Sequence, residues 1–304
     1  MTQHTLNMNR IKVKGELISF RNPENYLLDG ILYDVEDSNK TVIHIHGSYG
    51  NFYQNLFLRY LAKSYNENGY NFLSFNLRAH DGFAEGYQNV EDFEYVGGAT
   101  SEFETYFLDM EGAINFAKTF SKKIVLEGHS MGCDRVIDYM LRKKETYDCI
   151  LLSPSDSYMI QTNWLKRQFG ITVEQQLSEL EERLKTPRRK EDIDWLPFNT
   201  YGIYYTNEEH FLPVSAKTMY SVLRGASFWT FNITKPTEYY LDCNCFVYLG
   251  GKDELLTCTG DEMIQHITKR FKKVTPMFLP EAEHMIENVE LNLCRQIAEW
   301  LQTI

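Results

Sequence analysis

The stretch 124-IVLEGHSMGCDRVIDYML-141 passes from an apolar, β-rich run through Gly128-His129-Ser130-Met131-Gly132 into a segment with helical spacing. Glycines two places before and two places after a serine relieve the crowding of a sharp strand-to-helix turn, and the serine then stands proud of the backbone. The helix that follows brings its first free N–H groups to the same point, where developing negative charge can be held. A packing turn with an incidental serine would satisfy the same five residues. The rest of the chain decides between the two.

Outward from this turn, strand-like and helix-like periods alternate. Leu17-Ile18-Ser19-Phe20 and Tyr26 to Tyr33 flank Asn22-Pro23-Glu24-Asn25, a turn composition, and predict an antiparallel hairpin. Thr41 to His46 reads as a buried strand ending at Gly47, and residues 53–67 as an amphipathic helix ending before Gly69. Strand-like 70–77, helix-like 104–119, strand-like 123–128, helix-like 132–144 and strand-like 149–154 follow. This order predicts an α/β protein with a mostly parallel central sheet and helices on both faces. The rhythm breaks over 155–240, where one charged helical segment, 174–185, sits among Trp164, Trp195, Phe198, Tyr201, Tyr204, Tyr205 and Trp229. It resumes with strands at 244–251 and 274–280 and helices at 259–272 and 288–302. The expected organisation is a core of 1–154 and 241–304 carrying an inserted cap, or lid, of 155–240. A cap at the carboxyl ends of the strands covers the place where open α/β sheets bind ligands.

Composition excludes several classes of function. Of 304 residues, 43% are hydrophobic and 24% charged, an ordinary globular balance. The net charge of −11 repels phosphate backbones, and the one short basic run, Pro187-Arg188-Arg189-Lys190, is followed by Glu191-Asp192. Nucleic acid is therefore not an expected partner. No membrane span and no secretory leader are expected either, since no run of about 18 apolar residues occurs and the first residues lack an apolar core. A cytoplasmic location follows, with Cys133, Cys149, Cys243, Cys245, Cys258 and Cys294 as reduced structural thiols. No cofactor is implied. His44 and His46 share a strand face without a third ligand, so no metal is expected.

The glycine-flanked serine in its strand–turn–helix context resembles the nucleophile elbow of the α/β-hydrolase superfamily, and the resemblance runs over nearly all of the chain outside the inserted cap. It implies an α/β-hydrolase fold and the chain order nucleophile, acid, histidine. For the acid it implies Asp253, in 248-YLGGKDELL-256 after the strand that follows the cap; for the base it implies His284, in 280-PEAEHMIEN-288. Glu254 and Asp156 remain alternative acids, and Asp253 could simply cap a helix. His210 and His266 are less well placed as bases. The resemblance further implies an oxyanion hole made by the N–H of Met131 and one from His46-Gly47-Ser48-Tyr49-Gly50, with Ser48 or Tyr49 as donor. That loop is similar to the short His-Gly form and lacks a triple glycine.

The activity so implied is a metal-independent serine hydrolase that cleaves an ester or thioester of a small acyl substrate through an acyl-enzyme. Acyl transfer or thioester release in biosynthesis is the alternative, and a non-catalytic ligand-binding protein of the same fold is the second. The aromatics of the cap would favour an apolar substrate part, or would merely pack the cap onto the core. The segment 77–86, with Arg78, His80 and Asp81, is expected as a structural turn near the same end of the sheet. Cys133, just inside the elbow helix, is expected to pack. Residues 93–110 and 129–139 also resemble a loosely defined group of uncharacterised serine-hydrolase-like proteins, which implies no substrate.

Overall fold

The computed structural model describes residues 11–89, 93–186, 194–199, 211–225, 230–234 and 238–304, without the side chains of 93, 195–199 and 211–213. The chain opens on the expected hairpin, β1 (Glu16–Arg21) paired antiparallel with β2 (Leu27–Tyr33). Its turn is closed by the Asn22 side-chain carbonyl, which accepts the N–H groups of Glu24 and Tyr26 at 2.9 Å each. An asparagine can substitute for backbone in this way, which is why it suits a turn. β3 (Lys40–Ile45) leads to α1 (Phe57–Glu67) and β4 (Asn71–Phe75). In α1 the residues at one helical face, Phe57, Leu58, Leu61, Ala62 and Tyr65, are buried.

A short antiparallel ribbon, β5 (Ala84–Tyr87) with β6 (Phe93–Val96), follows where only a turn was expected. Then come α2 (Tyr106–Lys118), β7 (Lys123–His129), α3 (Met131–Lys143) and β8 (Asp148–Leu152). The stretch expected to break the rhythm carries more regular structure than the single helix read from its charge. It contains α4 (Ser157–Phe169), α5 (Val173–Lys185), the antiparallel pair β9 (Trp195–Asn199) and β10 (Phe211–Ser215), and α6 (Ala216–Arg224). α5 starts at a capping box, in which Thr172 and Gln175 each accept the other's backbone N–H. Such a cap contributes about 1 kcal/mol. β11 (Leu241–Gly250), α7 (Gly260–Thr268), β12 (Phe271–Leu279) and α8 (Glu290–Leu301) complete the chain.

Eight strands form one sheet in the order β1-β2-β4-β3-β7-β8-β11-β12. From β4 to β12 all neighbours are parallel, and β2 alone runs against them. The mostly parallel sheet with helices on both faces is therefore borne out. Neighbouring residues of one strand enter opposite cores, as period-two geometry demands. Val42, Phe72, Val125 and Ile150 join α1 and α8 on one face. Ile43, Leu73, Leu126 and Leu151 join α2, α3 and the inserted helices on the other. Both faces being covered explains why β3 and β4 read as continuous runs instead of alternating ones.

Trp164 of α4 is buried in the second of these cores, so that aromatic packs the insertion onto the sheet. Tyr201, Tyr204, Tyr205, His210, Trp229 and the run 187–192 lie outside the described residues, as do the side chains of Trp195 and Phe198. Among the described residues no helix is long and apolar enough to cross a membrane. All six cysteines are thiols, and only Cys258 is not fully buried.

Candidate active site

β7 delivers the backbone to Ser130 at the carboxyl end of the sheet's centre, and α3 leaves from it at once. Ser130 holds φ 54° and ψ −128°, a conformation that L residues rarely adopt. Strain of this kind costs about 1–3 kcal/mol and persists where the surroundings enforce it. Here the Ser130 N–H is tied to Leu152 O at 2.9 Å, and its own carbonyl accepts the Cys133 N–H at 2.9 Å. The flanking glycines permit the turn by close approach. A Cβ on Gly132 would stand 2.0 Å from Ile45 O, and one on Gly128 2.5 Å from Gly132 O. Gly132 is thus required by the contact between the elbow and β3, and Gly128 by its contact with the start of α3.

Asp253 and His284, far apart in sequence, meet here. His284 Nδ1 lies 2.8 Å from Asp253 Oδ2, and Asp253 Oδ1 accepts the Leu255 N–H at 2.9 Å. Both residues are buried. With a carboxylate on Nδ1, the imidazole carries its proton there and leaves Nε2 as an acceptor. The loops that carry the pair are stitched together: Gly251 N–H bonds Leu279 O at 2.8 Å, and Lys252 N–H bonds Ala282 O at 2.9 Å. Two contacts bring the histidine to the elbow. His129 Nε2 lies 3.2 Å from His284 O with ring centroids 5.2 Å apart, and Ser153 Oγ donates to His284 O at 3.0 Å. Ser153, at the end of β8, itself has φ 51°. Burial, with His284 alongside, pushes His129 well below the usual histidine range, so it is a neutral strut.

Asp156, the alternative acid, is engaged elsewhere. It caps α4 by accepting the Met159 N–H at 2.9 Å and also takes the Ile233 N–H at 3.1 Å. Glu254 is exposed. His266 is buried on α7 and pushed down to about 4, chiefly by burial.

The loop 46–50 is shaped by buried polar groups. His46 Nδ1 bonds Gly47 O at 2.8 Å and its Nε2 accepts the Leu77 N–H at 3.1 Å. Arg135 Nη1 donates to His46 O at 2.8 Å and to Gly47 O at 3.4 Å. Gly50 N–H is spent on Gly47 O at 3.2 Å and so is not a free donor of this loop. Tyr49 has φ 54°, and the Ser48 hydroxyl donates to Met131 Sδ at 3.3 Å, so the loop and the start of α3 touch.

No protein-family model matches this sequence, and no curated protein matches it significantly. Solved structures do match. The esterase Pf2001 of Pyrococcus furiosus is 18% identical with a TM-score of 0.60, over 99% of this chain and 96% of that one. Est1E of Butyrivibrio proteoclasticus is 14% identical with a TM-score of 0.62, over 95% and 98%. The α/β hydrolase GrgF of Penicillium sp. sh18 is 15% identical with a TM-score of 0.63, over 96% and 99%. The chain has the α/β-hydrolase fold.

Within this hydrolase fold the remaining sequence candidates have structural partners. His44 bonds Glu127 at 2.7 Å, and no group of three metal-ligating side chains occurs among the described residues. Arg78 is held by Asp109 at 2.9 Å and Glu24 at 2.7 Å. Asp81 bonds His80, Asn51 and Tyr53, and its N–H reaches Gly50 O at 3.3 Å, so that turn buttresses the loop 46–50. Cys133 Sγ donates to Gly128 O at 3.2 Å and Leu152 O at 3.3 Å, and burial pushes its thiol well up: it packs the elbow. Sequence reasoning missed Arg135, His129 and Ser153 as supports of the candidate site. His129 and Arg135 lay within the quoted elbow stretch, but Ser153 carried no local signal.

Proposed function

We propose that the protein is a serine hydrolase that cleaves an ester bond, with Ser130 as nucleophile, His284 as general base and Asp253 as its orienting carboxylate. The observation that carries this reading is the strained Ser130 elbow beside a histidine whose Nδ1 is occupied by a buried carboxylate. A neutral His284 Nε2 takes the Ser130 hydroxyl proton as Oγ attacks the acyl carbonyl. The imidazolium so formed is stabilised by Asp253 and returns the proton to the leaving alcohol. The acyl-enzyme is then opened by water, which gives a proton to His284; the imidazolium passes that proton to the departing Ser130 Oγ, leaving the acid and a restored hydroxyl.

The oxyanion of each tetrahedral intermediate would accept the Met131 N–H, one of the unsatisfied donors at the start of α3, and a second N–H from Ser48 or Tyr49. One such donor contributes about 2.7–4 kcal/mol. An esterase among structures with this architecture supports an ester as the scissile group. The cap of 155–240 would cover the bound substrate.

The test is covalent labelling of the intact protein by a fluorophosphonate, read by mass spectrometry. Labelling at Ser130 is expected, and its loss is expected in both Ser130→Ala and His284→Ala. A folded wild-type protein that takes no label, or takes it elsewhere, removes the reading.

A further inference from the structure

Ile286, two places after His284, is a β-branched residue at φ 61°. In that left-handed region a β-branched side chain crowds its own backbone, where glycine or asparagine would sit with far less strain. Asn288, in the same loop, takes the same conformation at φ 65° with a side chain suited to it. The isoleucine persists there only because its surroundings enforce it. Its side chain is wholly buried, in the core that Phe57 of α1 shares with Leu293 and Ile297 of α8.

The rest of the loop shows what that anchor holds. Ala282, His284 and Ile286 are buried, whereas Glu281, Glu283 and Glu287 are exposed, so the segment touches the body of the protein at alternate residues. The Ile286 N–H closes the turn whose first central residue is His284, reaching Glu283 O at 3.4 Å. Before the histidine, Ala282 O is fixed by the Lys252 N–H at 2.9 Å. After it, the sunken Ile286 side chain is the anchor. Both ends of the loop border a surface hollow of about 530 Å³, lined by Pro280, Glu281, Ala282, Asn288 and Val289 among others. That hollow leaves the loop room to relax outward once the anchor is gone.

We propose that Ile286 is a positioning residue for His284: its buried side chain holds the turn in a strained conformation that keeps the imidazole aimed from Asp253 toward Ser130. The inference rests on the serine-hydrolase reading and adds to it a residue that touches no reacting atom. Burial of the side chain offsets the backbone strain, so the strain persists as long as the anchor does. A smaller residue lets the turn relax, and a displacement of Nε2 by about 1 Å costs on the order of 10²-fold in rate.

Three variants separate anchor from strain. Ile286→Val keeps the branched side chain, Ile286→Ala removes most of it, and Ile286→Gly removes it together with the strain. Glycine alone relieves a left-handed backbone, so Ile286→Gly is expected to unfold at higher urea than Ile286→Ala although it has lost more of the side chain. Both are expected to lower kcat about 10–100-fold with KM within about threefold, measured per Ser130 titrated with the fluorophosphonate. Ile286→Val should retain kcat within about threefold. An anchor that served stability alone would move the urea midpoints and leave kcat per titrated site as it was. The proton between His284 Nδ1 and Asp253 gives a readout that needs no turnover. Its low-field proton resonance, assigned by its loss in His284→Ala, should persist in Ile286→Val and broaden or vanish in Ile286→Gly. A glycine variant less stable than the alanine one, an unchanged kcat per site in both, or an unaltered resonance in Ile286→Gly overturns the positioning role. A wild-type protein that neither cleaves esters nor takes the label instead overturns the hydrolase reading, and the resonance and the urea midpoints still decide whether Ile286 holds the histidine.

Discussion

Among the described residues, two histidine–carboxylate pairs are buried with almost the same geometry. His44 Nδ1 lies 2.7 Å from Glu127, and His284 Nδ1 lies 2.8 Å from Asp253. The first pair is formed by facing residues of β3 and β7, in the middle of the sheet. Its other groups are closed off: Glu127 also accepts the Tyr65 hydroxyl, His44 packs against Phe57 and Phe72, and no described group bonds His44 Nε2. The second pair is carried on two loops at the carboxyl ends of the strands, next to a strained serine. An imidazole oriented by a carboxylate is therefore not in itself catalytic machinery. On the proposed reading, what separates the two is whether Nε2 has a nucleophile and a substrate to serve.

The sharpest way to break that distinction is to neutralise the carboxylate of each pair. Asp253→Asn should lower kcat by roughly 10³–10⁴, because the imidazole loses its tautomer and its counter-charge, while the unfolding midpoint changes little. Glu127→Gln should do the reverse, destabilising the fold by about 1–3 kcal/mol through an imperfectly matched buried network with kcat per active site nearly unchanged. Ester hydrolysis and urea unfolding on both variants measure the two effects. A thousandfold loss of kcat in Glu127→Gln would erase the difference between the pairs.

The pair at the site was legible in sequence for reasons that do not apply to the pair in the core. Gly128 and Gly132 mark a backbone approach so close that no other residue fits, and an elbow of that kind announces its serine locally. Asp253 and His284 followed from the resemblance, because each sits just past a strand of the resumed alternation. His44 was visible only as a histidine on an apolar strand. That Glu127 faces it depends on the register of β3 against β7, which local sequence does not encode. Of the extra elements of 155–240, α4 was missed for a related reason: its buried face carries Ser157 and Gln161 beside Tyr158, Ile160, Trp164 and Leu165, a pattern that answers to the core it packs on and not to a simple polar and apolar split. β5 and β6 were missed because the family counterpart of 77–86 is a structural turn, and that expectation was carried over to this stretch. Arg135, on a helix face that sequence alone could not orient, holds the loop carbonyls from beneath.

Asp156 sharpens the comparison from another side, as a buried carboxylate at the end of a strand that has no histidine. Its oxygens accept two backbone N–H groups, and burial pushes its carboxyl above the usual range. Asp156→Ala should cost about 0.5–2 kcal/mol as a lost cap and leave kcat within about tenfold. Denaturant unfolding and ester hydrolysis on the same preparation check it. A loss of kcat comparable to that of Asp253→Asn would make Asp156 the acid and Asp253 the cap.

The smallest expected effect concerns a histidine that has no carboxylate at all. His46 is wholly buried, and burial together with Arg135 pushes it well below the usual range. Its neutral form is fixed by Gly47 O on one nitrogen and the Leu77 N–H on the other. In the unfolded chain it titrates near 6.5. Below that pH the unfolded state binds a proton that the native state refuses, so this residue makes stability fall as pH falls, and contributes nothing above about pH 7.5. Asp134 and Asp156, raised in the native state, act with the opposite sign: they keep protons that the unfolded chain has released above its ordinary aspartate range. The total slope of stability against pH therefore mixes both kinds of group. The difference between the wild type and His46→Gln isolates one histidine, and should show a slope smaller in the variant by up to about 1 kcal/mol per pH unit between pH 5 and 6. Parallel stability curves would mean that His46 takes up its proton in the folded state, and that the loop 46–50 can open toward solvent where its carbonyls and Arg135 now hold it shut.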